Sequence, residues 1–422
     1  METLIQTSVR HIAAGFLILS MIVITILDGL LTPEFNFNPL WVAGISAWLA
    51  ALLLFSETSR ILKIQVTLIL LLGAVFMLYA HFQSIDTNLN TVISSSTGLL
   101  TMIASVGFLR LVIIPDNLQA ETLPTGPSAF VKTLLGLNLS SAIINISAPI
   151  LISDRIHEQH PLQRFTAQTF TRVFCGVSCW SPFFAAMAVV ITYVSEASLL
   201  WIVIAGFPFM LFGLISVYLE AIWRYPKEVA KFVGYPTHVS ALKIPAALIV
   251  MVLMCSHWMP DTSILVSIAI SALSVTLVVL FVRNGFTGSK QKLAGHITTG
   301  LPKMVNELSL FLAAGVLAAG ITALIQSGAL SNPFNHFNAT TAAMILAIIV
   351  FSGFVGIHPI IMISSFAPMI LTLDPNPNLL AATFLFAWNL GTCSSPLSGT
   401  NLVFQGRYHI ASWRLAIWNW PY

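Results

Sequence analysis

Small polar residues interrupt the last long apolar stretch of the chain. The segment reads Gly391-Thr-Cys-Ser-Ser-Pro-Leu-Ser-Gly-Thr-Asn401, and Leu397 is its only large apolar residue. Pro396 removes a backbone donor and the two glycines lower helix propensity, so we expect a broken helix whose oxygens can bind a cation or a polar solute. The alternative is an ordinary helix whose small residues serve close packing. The candidate ligands are Thr392, Ser394, Ser395, Ser398, Thr400 and Asn401.

Two earlier segments offer the same kinds of ligand. In Gly176-Val-Ser-Cys-Trp-Ser-Pro182, a proline again follows a serine, and Ser178 and Ser181 are the candidates. The alternative there is a proline kink with packing serines. Upstream, Asn138-Leu-Ser-Ser141 forms a short polar break, followed by Asn145. From this part of the chain Ser140, Ser141 and Asn145 are predicted to line a site, unless the serines only satisfy local backbone groups.

One histidine lies within a long apolar segment. His358 follows Gly353 and Gly356 and precedes Pro359. A histidine at membrane depth is costly and is a functional hypothesis by default. Its pKa near neutrality suits proton coupling or contact with an anionic solute. The alternative is that His358 has only a structural role and its ring N–H donates a hydrogen bond to a neighbouring carbonyl.

The composition indicates the environment of these residues. Of 422 residues, 57% are hydrophobic and 8% are charged, whereas soluble domains have roughly 25% charged residues. The chain is therefore expected to be an all-α polytopic membrane protein. A net charge of +3 without a basic tract argues against a nucleic-acid partner. No cofactor is expected beyond Na⁺ or H⁺ as a coupling ion. The four cysteines lie in apolar segments and are interpreted as packing residues.

The apolar segments predict about ten transmembrane helices and two re-entrant hairpins. Segments 128–151 and 339–371 are broken by polar or helix-breaking residues, and we interpret them as the hairpins. Lys and Arg near span ends favour the cytoplasmic side. If both hairpins turn back within the membrane, all 18 Lys and Arg residues lie on the cytoplasmic side, together with both termini. If both segments instead crossed the membrane fully, 11 of these 18 residues would lie outside. The ten spans are predicted near 12–29, 39–55, 63–81, 91–114, 167–194, 198–219, 243–259, 263–282, 307–328 and 379–404.

The chain also repeats weakly at about half its length. Ala-Pro at 148–149 returns at 367–368, and Ser-Pro at 181–182 returns at 395–396, offsets of 219 and 214 residues. Each half would contain four spans, a hairpin and a broken helix, with five crossings, so the second half is inverted relative to the first. The predicted repeats are 1–196, with hairpin 128–151 and broken helix 167–194, and 197–422, with hairpin 339–371 and broken helix 379–404. Inverted repeats with broken helices are typical of secondary transporters.

This order of elements resembles the ion transporter superfamily, which includes divalent-anion/sodium symporters. The resemblance implies an elevator mechanism, with 128–194 and 339–404 in a mobile transport domain, a separate scaffold domain and a homodimer. Symporters of that family have Ser-Asn-Thr at both hairpin tips. The positions at the same spacing from the hairpin prolines here are Leu139-Ser140-Ser141 and His358-Pro359-Ile360. The resemblance therefore does not assign a substrate or two-site Na⁺ coupling.

Together these features predict a secondary active transporter in the inner membrane of a bacterium, surrounded by lipid. The expected solute is a small organic anion driven by Na⁺ or H⁺, and the direction of transport stays open. A channel is one alternative. The other is an intramembrane enzyme acting on a lipid-linked substrate, although no pair of acidic residues occurs within the spans.

Two peripheral segments are predicted to meet the membrane surface. Residues 221–235 have the pattern of an amphipathic helix on the inner face. The segment Tyr408–Tyr422, which contains three tryptophans, has the composition of an interfacial aromatic belt. Lys132, Arg172 and Glu307 are expected to be interface anchors or members of an ion pair.

Overall fold

The computed structural model describes residues 2–31, 38–85, 87–113, 122–236 and 243–422, and most of them are helical. No β-strand occurs within these ranges; Thr125 and Val233 form an isolated antiparallel bridge. The predicted all-α class is confirmed. A helix satisfies its backbone hydrogen bonds internally, which is what an apolar environment requires.

The described helices before residue 236 are α1 (Glu2–Leu31), α2 (Pro39–Leu54), α3 (Arg60–Phe82), α4 (Leu89–Ser94), α5 (Thr97–Gly107), α6 (Arg110–Ile113), α7 (Pro127–Ile144), α8 (Ser147–His157), α9 (Arg164–Gly176), α10 (Ala185–Tyr193), α11 (Leu199–Arg224) and α12 (Pro226–Ala230). Those after residue 242 are α13 (Lys243–Trp258), α14 (Ile264–Gly295), α15 (Val305–Gln326), α16 (Ala339–Phe354), α17 (Pro359–Leu371), α18 (Pro377–Ser394), α19 (Gly399–Tyr408) and α20 (Ser412–Asn419).

Among the described residues, seven helical segments are long and apolar enough to cross a membrane, judged by length and composition. The chain is thus membrane-embedded, with several candidate spanning helices. The set differs from the ten predicted spans in three ways: 167–194 and 379–404 are each divided and α13 has only 16 residues, the predicted spans 263–282 and 307–328 lie in one continuous segment, and Pro127–Ile144 of the predicted first hairpin qualifies although it was not predicted to cross. The seven are Val9–Leu31, Pro39–Glu57, Arg60–Phe82, Val92–Ile113, Pro127–Ile144, Leu199–Arg224 and Ile264–Gln326.

The first of two compact units comprises Met1–Val112, Ala247–Asn335 and Ser364–Leu373. Its helices α3 and α15 pack through glycines: a Cβ on Gly73 would lie 2.7 Å from the carbonyl oxygen of Val316, and one on Gly320 would lie 2.6 Å from that of Gly73. Such close backbone approach is common where membrane helices associate, because small residues maximise their contact.

Helix α3 of this unit also has a continuous apolar surface. Leu68, Leu71, Val75 and Leu78 follow helical spacing, and each is more than half exposed. Water would disfavour a stripe of this kind, whereas lipid tails solvate it. The exposed stripe therefore agrees with the membrane location.

The second compact unit, called unit 2 below, comprises Ile113–Ala246, His336–Ile363 and Asp374–Tyr422. It contains α7–α12, α16 and α18–α20, and all twelve predicted ligands lie within it. Each compact unit draws on both halves of the chain, so the units do not coincide with the ranges 1–196 and 197–422. The compact units are defined by which helices pack together, whereas the predicted repeats are defined by the order of segments along the chain. The inverted repeat therefore stays a prediction.

Candidate functional site

The first helix break in unit 2 is at Asn145, between α7 and α8. Asn145 has a φ of 50° and a ψ of −135°, which lies outside both the right-handed and the left-handed helical regions and ends α7. Its N–H donates to the carbonyl oxygen of Ser141 at 3.0 Å, and its own carbonyl accepts from the N–H of Ala148 at 3.1 Å. The backbone of the break is thereby held at both ends.

This break lies downstream of the predicted polar tip. The segment from Asn138 to Ser141 is helical, within α7, rather than irregular. The reason is that its most polar side chain has a partner on another helix: the Asn138 amide donates to the carbonyl of Val173 at 3.3 Å. The polar residues Asn138–Ser141 therefore do not interrupt α7.

The second break, Trp180–Phe184, separates a 3₁₀ turn at Val177–Cys179 from α10. The Ser181 hydroxyl donates to the carbonyl of Ala142 at 2.5 Å and accepts from the N–H of Phe183 at 3.2 Å. The Asn145 amide donates to the carbonyl of Phe183 at 3.4 Å. The first and second breaks are therefore joined by side-chain hydrogen bonds.

The third break, Val355–His358, separates α16 from α17. Gly356 has a φ of 96°, and the N–H of Ile357 donates to the carbonyl of Ser352 at 2.9 Å. The Nδ1 atom of His358 accepts from the N–H of Ile360 at 3.3 Å, so this ring serves as a helix cap. The ring also packs edge-on against Trp388 of α18, with 5.2 Å between centroids.

The fourth break, Ser395–Ser398, separates α18 from α19. The Asn401 amide donates to the carbonyls of Cys393 and Ser395 at 3.3 and 2.8 Å, and Ser398 caps α19 through the N–H of Asn401. A Cβ on Gly356 would lie 2.6 Å from the Leu397 side chain. The third and fourth breaks are thus in contact.

The two pairs of breaks are connected through α9 and α18. Helix α18 packs against α9 and against the 3₁₀ turn Val177–Cys179 that follows it. A Cβ on Gly353 of α16 would lie 2.8 Å from the carbonyl oxygen of Gly391 in α18, so α16 also approaches this helix closely. Unit 2 therefore brings four helix interruptions into one connected region.

Several buried oxygens in this region have no hydrogen-bond partner among the described residues. Three are amide oxygens, which are strong acceptors: Oδ1 of Asn145, Asn389 and Asn401. The hydroxyls of Ser141 and Thr392 share this property. A buried acceptor without a partner costs free energy, on the order of 1–3 kcal/mol, and a bound cation would satisfy it.

Asn389 was missed by the sequence argument. It lies inside the apolar run Phe386-Ala-Trp-Asn-Leu390, without a neighbouring proline or serine. The signal that could have identified it is the single amide itself, because a polar side chain within an apolar helix needs a partner.

Two other predicted ligands, Ser178 and Ser394, bond to backbone carbonyls three or four residues earlier in the chain. The Ser178 hydroxyl donates to the carbonyl of Cys175 at 2.8 Å, and that of Ser394 donates to Leu390 at 2.7 Å. Thr400 is buried in the first turn of α19, and Ser140 is half-buried in α7. These four are less favourably placed to bind a ligand than Asn145, Thr392 and Asn401.

A buried ion pair involves Arg172, near the C-terminal end of α9. The Arg172 guanidinium donates to Glu220 of α11, to the amide oxygen of Asn419 at 3.1 Å and to the carbonyl of Trp418 at 2.8 Å. The expectation that Arg172 belongs to an ion pair is confirmed. Asn419 also donates to the carbonyl of Cys393 at 3.3 Å, so α20 connects this pair to the end of α18.

A second polar contact joins α8 to the end of α19. The Tyr408 hydroxyl donates to Asp154 at 2.7 Å, and Arg407 donates to the same carboxylate at 2.7 Å. Burial, together with the Asp154 carboxylate, raises the pKa of Tyr408, so this hydroxyl stays protonated at neutral pH. The contact holds α8 beside the helix that follows the fourth break.

Among the described residues, no group of three or more His, Cys, Asp and Glu side chains is arranged to bind a metal ion. The donors at the breaks are neutral amides, hydroxyls and carbonyls, which suit a weakly held cation such as Na⁺ rather than a transition metal. No family model matches the chain, and no curated protein matches it.

Proposed function

We propose that this protein is a secondary active transporter for a small organic anion, coupled to Na⁺ or H⁺. Unit 2 would be the moving body of an elevator, because it contains nearly all of 128–194 and 339–404. The proposal includes the inner membrane of a bacterium, cytoplasmic termini and a homodimer, as the sequence resemblance implies.

The observation that supports it most strongly is the set of unpartnered amide oxygens at the connected breaks. Oδ1 of Asn145, Asn389 and Asn401 are buried acceptors on three different elements of unit 2. Broken helices add backbone N–H groups that attract anions and carbonyls that attract cations. A site of this composition binds an anion and a cation together, because each neutralises the other in a region with few charged side chains.

The position of His358 bears on the choice of coupling ion. Its Nδ1 accepts a backbone N–H at the start of α17, which requires that this nitrogen be unprotonated. A neutral ring whose Nδ1 accepts a hydrogen bond already has its proton on Nε2, so a further proton would bind at Nδ1, remove that cap and loosen the helix start. Proton coupling through His358 would therefore be linked to the conformation of the third break.

The first experiment identifies the solute. Thermal unfolding of the purified full chain is measured with a panel of small carboxylates and other organic anions, at pH 6 and pH 8, with NaCl or choline chloride. A solute that raises the Tm only with Na⁺, or only at the lower pH, identifies the coupling ion. Uptake of that solute is then followed in proteoliposomes with and without the corresponding ion gradient.

Two variants test the site without disturbing its hydrogen bonds. Thr392→Val and Ser141→Ala remove hydroxyls that have no partner among the described residues, so both variants should fold. We expect each to weaken the apparent affinity for the coupling ion by about tenfold, equivalent to about 1.4 kcal/mol.

The matched control is Thr192→Val, which removes a hydroxyl that bonds only to Ala188 within α10. Normal ion dependence in both test variants would contradict the proposed site. Sustained currents through single proteins in a bilayer would favour the channel alternative instead, as would solute flux that does not depend on any ion gradient.

A further inference from the structure

A cavity of about 410 Å³ opens in unit 2 at a distance along α9 from the helix breaks. It is lined by the first turns of α9, the end of α11 and the C-terminal segment, including Arg164, Glu220, Arg224 and Trp418. None of the twelve predicted ligands contributes to it. The cavity is therefore separate from the candidate transport site.

The cavity has an excess of positive charge. Its carboxylate, Glu220, already accepts hydrogen bonds from the buried Arg172 and, at 3.1 Å, from Arg224. Arg164 stacks on Trp418, with 4.5 Å between its guanidinium carbon and the ring centroid. Stacking occupies the face of a guanidinium and leaves its N–H edge available, which is the edge that binds phosphate oxygens.

A second, more apolar groove of about 770 Å³ adjoins the cavity and shares Glu220, Arg224 and Pro421 with it. Leu219, Ile222 and Trp223 form its wall, and Trp223 is 87% exposed. A basic cavity that continues into an apolar groove matches a molecule with an anionic head and a hydrocarbon tail. A small soluble anion would use only the first part.

We infer that this surface binds an anionic phospholipid, with its phosphate on Arg164 and Arg224 and an acyl chain along Leu219, Ile222 and Trp223. The predicted orientation places these arginines at the inner membrane surface, where basic pockets between helices bind anionic headgroups. Exposed tryptophan is typical of the same interfacial layer. The inference rests on membrane embedding and does not depend on transport.

The test measures thermal unfolding of the full chain in detergent, titrated with dioleoylphosphatidylglycerol or dioleoylphosphatidylcholine. The phosphatidylglycerol should raise the Tm at concentrations at which the phosphatidylcholine does not. In Arg164→Gln/Arg224→Gln, the apparent affinity for phosphatidylglycerol should fall at least tenfold. Arg164→Gln alone, which leaves the Glu220 contacts intact, should give a smaller loss in the same direction.

The matched control is Arg414→Gln. Arg414 also stacks on a tryptophan, Trp413, but does not line the cavity, so this variant should bind phosphatidylglycerol normally. Trp223→Ser tests the acyl groove and should weaken phosphatidylglycerol binding at least threefold. Equal shifts with both lipids, unchanged affinity in the double variant, or an equal shift with inorganic phosphate at matched ionic strength would overturn the inference; the last result would assign a soluble anion instead.

Discussion

Asn145 and Gly356 both adopt a positive φ, 50° and 96°, and they are 211 residues apart, which is half the length of the chain. Each ends a helix of unit 2 and contacts the break of a later one: Asn145 bonds to the Phe183 carbonyl, and Gly356 meets Leu397. Each half of the chain thus has a positive φ at one of its helix interruptions.

Substitution of Gly356 should be costly for two separable reasons. In Gly356→Ala the positive φ is strained, at about 1 kcal/mol, and the new methyl group meets Leu397 at 2.6 Å. We expect a total loss of about 2 kcal/mol, seen as a lower Tm in detergent. Leu397→Ala in the same chain should relieve only the steric part.

Gly399→Ala is the control for this pair, because a Cβ there meets nothing within 4 Å and the φ is ordinary. It should leave the Tm nearly unchanged. An equal loss in Gly356→Ala and Gly399→Ala would show that the break does not have the described conformation.

Ser181 and Ser178 should differ in their effect on stability although both are fully buried. Ser181→Ala removes the bond that joins the second break to α7 and leaves the Ala142 carbonyl and the Phe183 N–H without that partner. We expect a loss of about 1–3 kcal/mol. Ser178→Ala removes only a bond within its own turn and should change stability by less than about 0.5 kcal/mol. The measurement is equilibrium unfolding in mixed detergent micelles.

Disruption of the buried ion pair between Arg172 and Glu220 should lower the stability of the protein far more than disruption of an exposed pair. Arg172→Gln leaves Glu220 with only the solvent-exposed Arg224, and removal of one partner of a buried pair typically costs about 3–5 kcal/mol. Arg407→Gln removes the half-exposed partner of Asp154 and should cost at most about 1 kcal/mol. Comparable losses in the two variants, measured as yield of folded protein and Tm, would contradict the assignment of Arg172 as structural.

Thiol labelling in intact cells tests the predicted topology. All four native cysteines are buried, so background labelling should be low. A membrane-impermeant reagent should label Ser331→Cys from outside, and Lys290→Cys only after the cells are opened; both positions are exposed. The reverse result, with Lys290→Cys labelled from outside and Ser331→Cys only in opened cells, would show that the two segments cross fully, and labelling of both from the same side would also exclude the predicted topology.

The sequence predicted the helix interruptions best where proline enforces them. Pro182 and Pro396 lack a backbone N–H, and the second and fourth breaks include these residues. Gly353 and Gly356, which precede Pro359, likewise indicated the third break. These are local effects of covalent structure, so they can be recognised without knowledge of neighbouring helices.

The remaining features depend on contacts that a single sequence does not reveal. Asn138 stays helical because the Val173 carbonyl accepts from it, whereas Asn145, seven residues later, ends its helix. Asn389 gains its importance from burial, because its amide oxygen has no partner among the described residues. Both distinctions arise from packing between segments that are distant in the chain, whereas local polarity indicated a break at Asn138 and gave no indication of Asn389.

The interleaved order of unit 2 has a consequence for biosynthesis. At roughly 5–20 residues per second, the chain between the end of α10 and the start of α18 takes roughly 10–40 s to synthesise. During that interval, the residues that bond to Asn138, Asn145 and Ser181 in the complete structure, namely Val173, Phe183 and Ala142, have already been synthesised. The early half of the site is therefore able to shelter its own polar groups from lipid while the ribosome is still translating the helices that complete it.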